Sequence, residues 1–260
     1  MELALSIDTE SDLHTGLYEG IVEGIPNFLE KIRGINIKIT FFVTAEVLEK
    51  FPDYFRGLDY EGHEIALHGL EHERFDDLSY DEKERRVVEA IRIYENTLYK
   101  KPKGFRAPQH SVDEDLLKIL NKHNFLYDSS HTPLNFFQLL FFPKRWKSWA
   151  KNVFVNRKKH KISKNFFEIP TTSIILPFVS LIVRIFPTLA LNIYFNFLRI
   201  FNKEIIFYAH SWDFIKLQDS KIDKLFSHNL FVSRFSEFII KKSNNKSIKF
   251  VKMKELLCKN

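Results

Sequence analysis

Residues 68–72 read HGLEH and follow a short apolar run, EIAL, so two imidazoles stand four positions apart where a strand gives way to a loop. On a helical turn residues i and i+4 lie one above the other, and the spacing predicts that His68 and His72 aim at one shared point. Two such histidines make two ligands for a divalent ion. Pairs at this spacing also occur on solvated helices, so a third ligand and a chemical context are required. Other residues able to do chemistry stand in comparable places: Asp8 and Glu10 after LALSI, Arg106 and Pro108 in GFRAP, Asp128 in LYDSS, and His210 in IIFYAHSW.

The elements that must position them follow from the apolar pattern. LALSI, IKITFFV, HEIALH, KGFRAP, FLYDSS, FFEIP, EIIFYAHS and IKFVKM have the length and composition of buried strands. Helical segments lie between the early ones: IPNFLEKIRG with Pro26 in its first turn, AEVLEKFPDYFRGLDYEG, and two segments opened by capping boxes, Ser79 with Glu82 and Ser111 with Glu114. Strands alternating with helices argue for parallel pairing, and 260 residues suit one α/β barrel with a full core. In such a barrel the polar motifs share the rim at the C-terminal ends of the strands, where chemistry is assembled.

Composition narrows the setting. The only cysteine, Cys258, excludes an intramolecular disulfide and a cysteine-based metal cluster. The first residues, MELALSIDTESD, lack the basic and long apolar regions of a secretion signal, and a cytoplasmic location is expected. The net charge of +6 admits an anionic partner, but no nucleic-acid-binding motif accompanies it. Residues 131–203 concentrate the charge, with twelve lysines and arginines against Glu168 alone, and they interleave Trp146, Trp149 and many phenylalanines. Arg184, Pro177 and Pro187 interrupt the apolar run here, which falls short of the roughly 18 residues of a spanning helix. Two readings stand side by side for this basic apolar insertion: a packed helix pair with solvated lysines, or a patch resting on an anionic membrane surface.

In order and spacing, SIDTE, HEIALHGLEH and FRAP resemble the motifs of the polysaccharide deacetylase superfamily, carbohydrate esterase family four, and FYAHSW is similar to its late histidine motif. The resemblance implies a distorted (β/α)7 barrel, here one catalytic domain over residues 1–260 with the insertion at about 131–203. It implies a hydrolase that removes an N-acyl group, acetyl or formyl, from a carbohydrate, using one divalent ion with zinc as the first choice. Asp8 would be the general base, His210 the acid, and Glu10, His68 and His72 the metal ligands. Arg106 would hold Asp8 ionised and Asp128 would orient His210. Pro108, the backbone N–H of Gln109 and Trp212 would meet the substrate. Two departures matter: the family's usual metal carboxylate is aspartate, leaving Asp12 as a reserve ligand, and Gln109 and His110 replace the Tyr-Gly common in chitin and peptidoglycan deacetylases. The basic segment turns the expectation toward a sugar on a polyprenyl phosphate, as in lipid-linked aminosugar deformylases. A polymeric glycan, a small linear amide, and a non-catalytic glycan- or partner-binding barrel are the alternatives.

Overall fold

The structure, a computed structural model, describes residues 1–13, 15–133, 153–217 and 227–258. Strand β1 (Glu2–Thr9) is buried along its whole length, as expected of a strand covered on both faces. It pairs in parallel with β2 (Thr40–Val43), with β8 (Glu204–His210), and through its first residues with β9 (Lys249–Val251). From β2 the sheet continues in parallel through β3 (Glu64–Leu67), β4 (Gly104–Phe105), β5 (Tyr127–Asp128) and β7 (Phe166–Glu168). Strand β6 (His160–Ser163) lies antiparallel on β7 and ends the sheet. The sheet curls until its ends meet: past β7, Thr172 donates its N–H to the Ile206 carbonyl at 3.2 Å, and Val179 bridges to Tyr208 on β8. The result is the distorted α/β barrel expected from the alternating pattern.

Register places the polar motifs on one rim. Asp8 stands opposite His210, and the row Thr9, Val43, Leu67, Phe105, Asp128 and Glu168 runs across six strands.

The helices follow the local chemistry, with two departures. The segment from Ala45 to Glu61 forms two helices, α2 (Ala45–Lys50) and α3 (Pro52–Tyr60), because Pro52 has no N–H to continue the first and a φ suited to start the second. After α1 (Ile25–Lys31), with Pro26 in its first turn, the longest helix is α4 (Tyr80–Leu98), whose Glu82 N–H donates to Ser79 Oγ as the capping signal predicts. Helix α5 (Glu114–Lys122) is capped by Asp113, which accepts from the Leu116 N–H at 2.9 Å, and not by Ser111. Ser111 has other work: its hydroxyl donates to the Pro108 carbonyl at 2.7 Å and accepts from the Phe75 N–H at 2.9 Å, stitching the GFRAP loop to the one after β3.

The basic apolar segment supplies barrel wall as well as surface. It contains β6, β7 and the helix pair α6 (Ser180–Ile185) and α7 (Thr188–Phe201). Phe178 packs on Phe195 of α7, Phe207 of β8 and Phe238 of α8 (His228–Ser243), with centroids 5.1–6.0 Å apart. The outer face of α7 is different, with Leu189, Ile193, Ile200 and Phe201 all more than half exposed. Trp146 and Trp149, with Lys144, Arg145, Lys147 and Lys151, lie outside the described residues. No helix among the described residues is long and apolar enough to cross a membrane.

Candidate active site

Asp8 projects from the C-terminal half of β1 beside Arg106, which follows β4. Arg106 Nη1 donates to Asp8 Oδ1 at 2.6 Å and to Ser6 Oγ at 3.0 Å, while Nε and Nη2 bond the carbonyl and hydroxyl of Ser129. The guanidinium is fully buried over the Phe42 ring. A buried cation so tightly held has one evident charge partner, the Asp8 carboxylate. Burial opposes the charge on Asp8, but Arg106 and then His68 and His210 overcome it, holding the carboxyl below its ordinary range.

Glu10, His68 and His72 converge one step along the rim. Glu10 Oε2 lies 2.6 Å from His72 Nε2 and 3.4 Å from His68 Nε2. The histidines meet without a helical turn, contrary to the expectation from their spacing. Gly69 and His72 both have positive φ, 79° and 77°, and the Glu73 carboxylate accepts the Leu70 and Glu71 N–H groups inside the loop. Gly69 is needed for a second reason, since a Cβ there would stand 3.0 Å from Pro108 Cγ, where the two loops touch. The bulkier His72 in the same backbone region stores strain at a point where chemistry is expected.

The donor set fits a divalent ion. His68 Nδ1 is 2.8 Å from the Arg106 carbonyl, which can only accept, so Nδ1 carries the proton and Nε2 is bare toward Glu10. Glu10 Oε2 is buried without a hydrogen-bond partner, while Oε1 accepts from Trp212 Nε1 at 3.3 Å. Two imidazole nitrogens and a carboxylate oxygen within 4.8 Å of one another form a candidate site for a divalent cation. The His72 side chain is one-third exposed, which leaves the group open to solvent on one side. Burial disfavours ionised Glu10, yet the imidazoles of His68 and His72 beside it hold the carboxyl well below the usual range. Asp12, the reserve ligand, is elsewhere: its Oδ1 accepts from Gly20 N–H at 3.0 Å. A Cβ on Gly20 would fall 2.7 Å from that oxygen and from the Ser211 backbone, so only glycine lets the two loops close here.

His210 completes the rim at the end of β8. Its ring stacks on Trp212 at 4.2 Å, and its Nδ1 lies 3.4 Å from Asp213 Oδ2, which also accepts the His210 backbone N–H at 2.9 Å. Burial pushes the imidazole toward neutrality, but Asp213 prevails and raises its pKa.

Residues 5–127 match the family model for polysaccharide deacetylases, and Asp8, Glu10, His68, His72 and Arg106 all fall within that match. Over that N-terminal half the chain is similar to the polysaccharide deacetylases. It is 34% identical over 122 residues to a peptidoglycan deacetylase-like protein of Gibberella zeae, an alignment that takes in 46% of this chain and 36% of that one. It is 30% identical over 125 residues to a peptidoglycan-N-acetylglucosamine deacetylase of Bacillus cereus, across 48% of this chain and 42% of the relative. The matched part therefore spans less than half the length of these curated relatives. In fold, 98% of the chain superposes on 88% of a Mycobacterium smegmatis protein assigned to the polysaccharide deacetylases, with a TM-score of 0.72 at 17% identity.

Asp128 departs from the expected place. Its oxygens accept from the N–H and hydroxyl of Ser130, and it faces Glu168 across the β5–β7 pairing. It is Asp213, three residues past His210, that touches the imidazole. In the sequence Asp213 reads as a packing or loop residue because it stands past the strand end, in the 3-10 turn Ser211–Phe214, although its i, i+3 spacing to His210 is the available signal. Asp128 and Glu168 form a second buried cluster with His131. Burial raises both carboxyls, Glu168 to about 7, and two carboxylates in contact favour sharing a proton over double ionisation.

Arg184 is the other residue the sequence hid. It reads as an interruption of the apolar run, yet it is buried and its Nη2 donates at 3.1 Å to both Asp213 Oδ1 and the Asp213 carbonyl. Pro108 is buried against Gly69, and Gln109, exposed with φ 53°, turns the backbone at the mouth of the site. His63, whose Nδ1 accepts from the Ile39 N–H, is a buried structural histidine.

Proposed function

We propose that the protein is a metal-dependent hydrolase that removes an N-acyl group from an amino sugar. One observation carries the reading: the Glu10–His68–His72 cluster, the Asp8–Arg106 pair and the His210–Asp213 pair face one another on a single barrel rim. An amide needs a nucleophilic water, a polarised carbonyl and a protonated leaving nitrogen, because an amine anion departs too slowly. A divalent ion on these ligands, zinc by its preference for nitrogen and carboxylate donors, supplies Lewis acidity to the acyl oxygen and the water.

The protein's own groups do the proton work. Asp8, kept ionised by Arg106, takes the proton from the attacking water. His210, kept protonated by Asp213, gives its proton to the sugar nitrogen as the C–N bond breaks. The Gln109 N–H stands beside Pro108 as a donor for the developing oxyanion. Trp212, fixed by its stack on His210 and its bond to Glu10, walls the acyl group.

For the sugar's carrier, the exposed stripe Leu189, Ile193, Ile200 and Phe201 favours a substrate presented at a membrane on a polyprenyl phosphate. Arg199 and Lys203 lie on the same stretch, and no acid occurs from Ile169 to Lys203. Such a surface suits an anionic leaflet.

The test is release of acetate or formate from a panel of N-acetyl and N-formyl amino sugars, free, polymeric and lipid-linked, by purified protein supplied with zinc. Absence of release from every member, with the metal bound, would leave the non-catalytic binding barrel as the better reading.

A further inference from the structure

His110 and Tyr208 form a hydrogen-bonded pair beside the rim that the reaction above does not use. Tyr208 and His210 stand two apart on β8 and share its inward face, with ring centroids 5.5 Å apart. Tyr208 Oη lies 3.1 Å from His110 Nε2, and both side chains are half-buried, within reach of solvent from the cleft. Arg106 passes 5.3 Å from the Tyr208 ring, so the pair shares its floor with Asp8.

The direction of that hydrogen bond follows from its neighbours. His110 Nδ1 is 2.9 Å from the Ser130 carbonyl, which can only accept, so the proton of the neutral ring sits on Nδ1. The Thr132 hydroxyl hovers at 3.3 and 3.4 Å from the two ring nitrogens, farther than either of those partners. Desolvation pushes the imidazole pKa down to about 4, which keeps the ring neutral. Nε2 is then bare and accepts the Tyr208 proton. The tyrosine oxygen, its hydrogen committed, presents lone pairs to the cleft and acts as an acceptor.

Resting on the deacylase reading, we propose that Tyr208, oriented by His110, accepts a hydrogen bond from the N–H of the scissile amide and thereby selects amides over esters. An amide nitrogen that becomes tetrahedral must turn its lone pair toward His210, the proton donor. An acceptor beside His210 that holds the N–H fixes that turn. The same acceptor meets only a lone pair when an ester oxygen replaces the nitrogen, and the two oxygens repel.

The test compares methyl 2-acetamido-2-deoxy-β-glucoside with methyl 2-O-acetyl-β-glucoside, which carry amide and ester at the same carbon. Tyr208→Phe should lower kcat/KM on the amide by about 10- to 100-fold, the usual cost of an unmade hydrogen bond in a desolvated site, and leave the ester unchanged or faster, since the repelling oxygen is gone. His110→Phe should reduce the amide-to-ester ratio as well, and His110→Gln, which can still offer an acceptor, should restore part of it. Equal losses on both glycosides, or none on either, would overturn the assignment while leaving the deacylase reading intact. Inactivity of the parent on both glycosides, combined with inactivity on the whole panel of amino sugars, would sink the two together.

Discussion

Arg184 and Asp213 are bonded at 3.1 Å inside the barrel wall, and the Asp213 carboxylate is held between that guanidinium and His210. The basic apolar segment thus reaches the acid of the proposed reaction through one carboxylate. Both side chains of the pair are almost wholly buried, so removing one costs the other a charge partner inside the wall.

Asp213→Asn should therefore act on the pH profile. His210 carries a raised pKa because Asp213 faces it, and the protonated form is the one that donates. Without the carboxylate the pKa falls, and the alkaline limb of kcat/KM moves to lower pH. Arg184→Met should keep the limb near its place but cost about 3–5 kcal/mol of unfolding free energy, since the buried Asp213 loses one of its two cationic neighbours and keeps only His210. A pH–rate series and urea unfolding separate the two effects. An alkaline limb in the Asp213 variant identical to the parent's would count against the pairing.

Glu10→Ala should abolish stoichiometric divalent metal, as should His68→Ala and His72→Ala, because losing one of three protein ligands costs affinity and geometry together. Asp12→Ala should keep the metal and lower the melting temperature, since Asp12 ties the loop at Gly20 and not the ion. Metal analysis of the purified variants decides between them, and a metal-free Asp12 variant that is still folded would reassign the ligand.

Asp8→Asn should retain metal and lose turnover by about 100-fold or more, the usual share of a general base. Because Arg106 and the neighbouring histidines overcome burial to hold the Asp8 carboxyl below its ordinary range, the acid limb of the parent's profile should lie low. Arg106→Lys, which keeps the charge but not the fork of hydrogen bonds, should move that limb to higher pH. An unmoved acid limb with normal rates would separate Asp8 from the base role.

Glu168 gives a stability signature. Burial raises its carboxyl to about 7, so the folded chain keeps a proton that the unfolded chain releases. The stability from that proton is complete below the unfolded value and is lost as pH rises through the folded one, a window from about 4.5 to about 7. Glu168→Gln cannot ionise and should flatten the decline across that window. Urea midpoints at several pH values measure it, and parallel slopes for parent and variant would refute the shared proton.

The outer face of α7 should bring the protein to anionic vesicles, with each engaged cation adding about 1 kcal/mol near the surface. Changing Leu189, Ile193, Ile200 and Phe201 together to Gln should abolish sedimentation with phosphatidylserine vesicles at low salt. Failure of the parent to sediment would return this face to ordinary solvent exposure and remove the support for a lipid-linked substrate.

Much of the rim could be read from the sequence because several of the parallel strands end in, or run straight into, polar residues of their own, and strand ends in a barrel share one face. Asp8, Glu10, His68, His72, Arg106 and His210 were all placed that way. The missed details have physical causes. The histidine pair matches a helical spacing, but Gly69 and the Glu73 carboxylate build a loop that reaches the same point by another route. Asp128 looked like the partner of His210 because both end strands, whereas only the folded turn brings Asp213 back onto the ring. Strand β6, HKIS, carries no apolar alternation because both of its faces are at least partly exposed. Arg184 disguised itself as a break in an apolar run, since a buried ion pair and a solvated charge are the same letter in a sequence.

The pairing of β1 with β8 and β9 sets the order in which this chain can mature. Strand β1 can find β2 about thirty residues later in the chain, yet β8 and β9 are separated from it by two hundred residues or more. Until they are synthesised, β1 has an open hydrogen-bonding edge and an apolar surface able to pair with another chain. Folding should accordingly be slow and dominated by distant contacts, and a ribosome-bound chain stalled before Glu204 should be a good client for holdase chaperones. Asp8 and His210, which belong to this last closure, would face one another only when that wait is over.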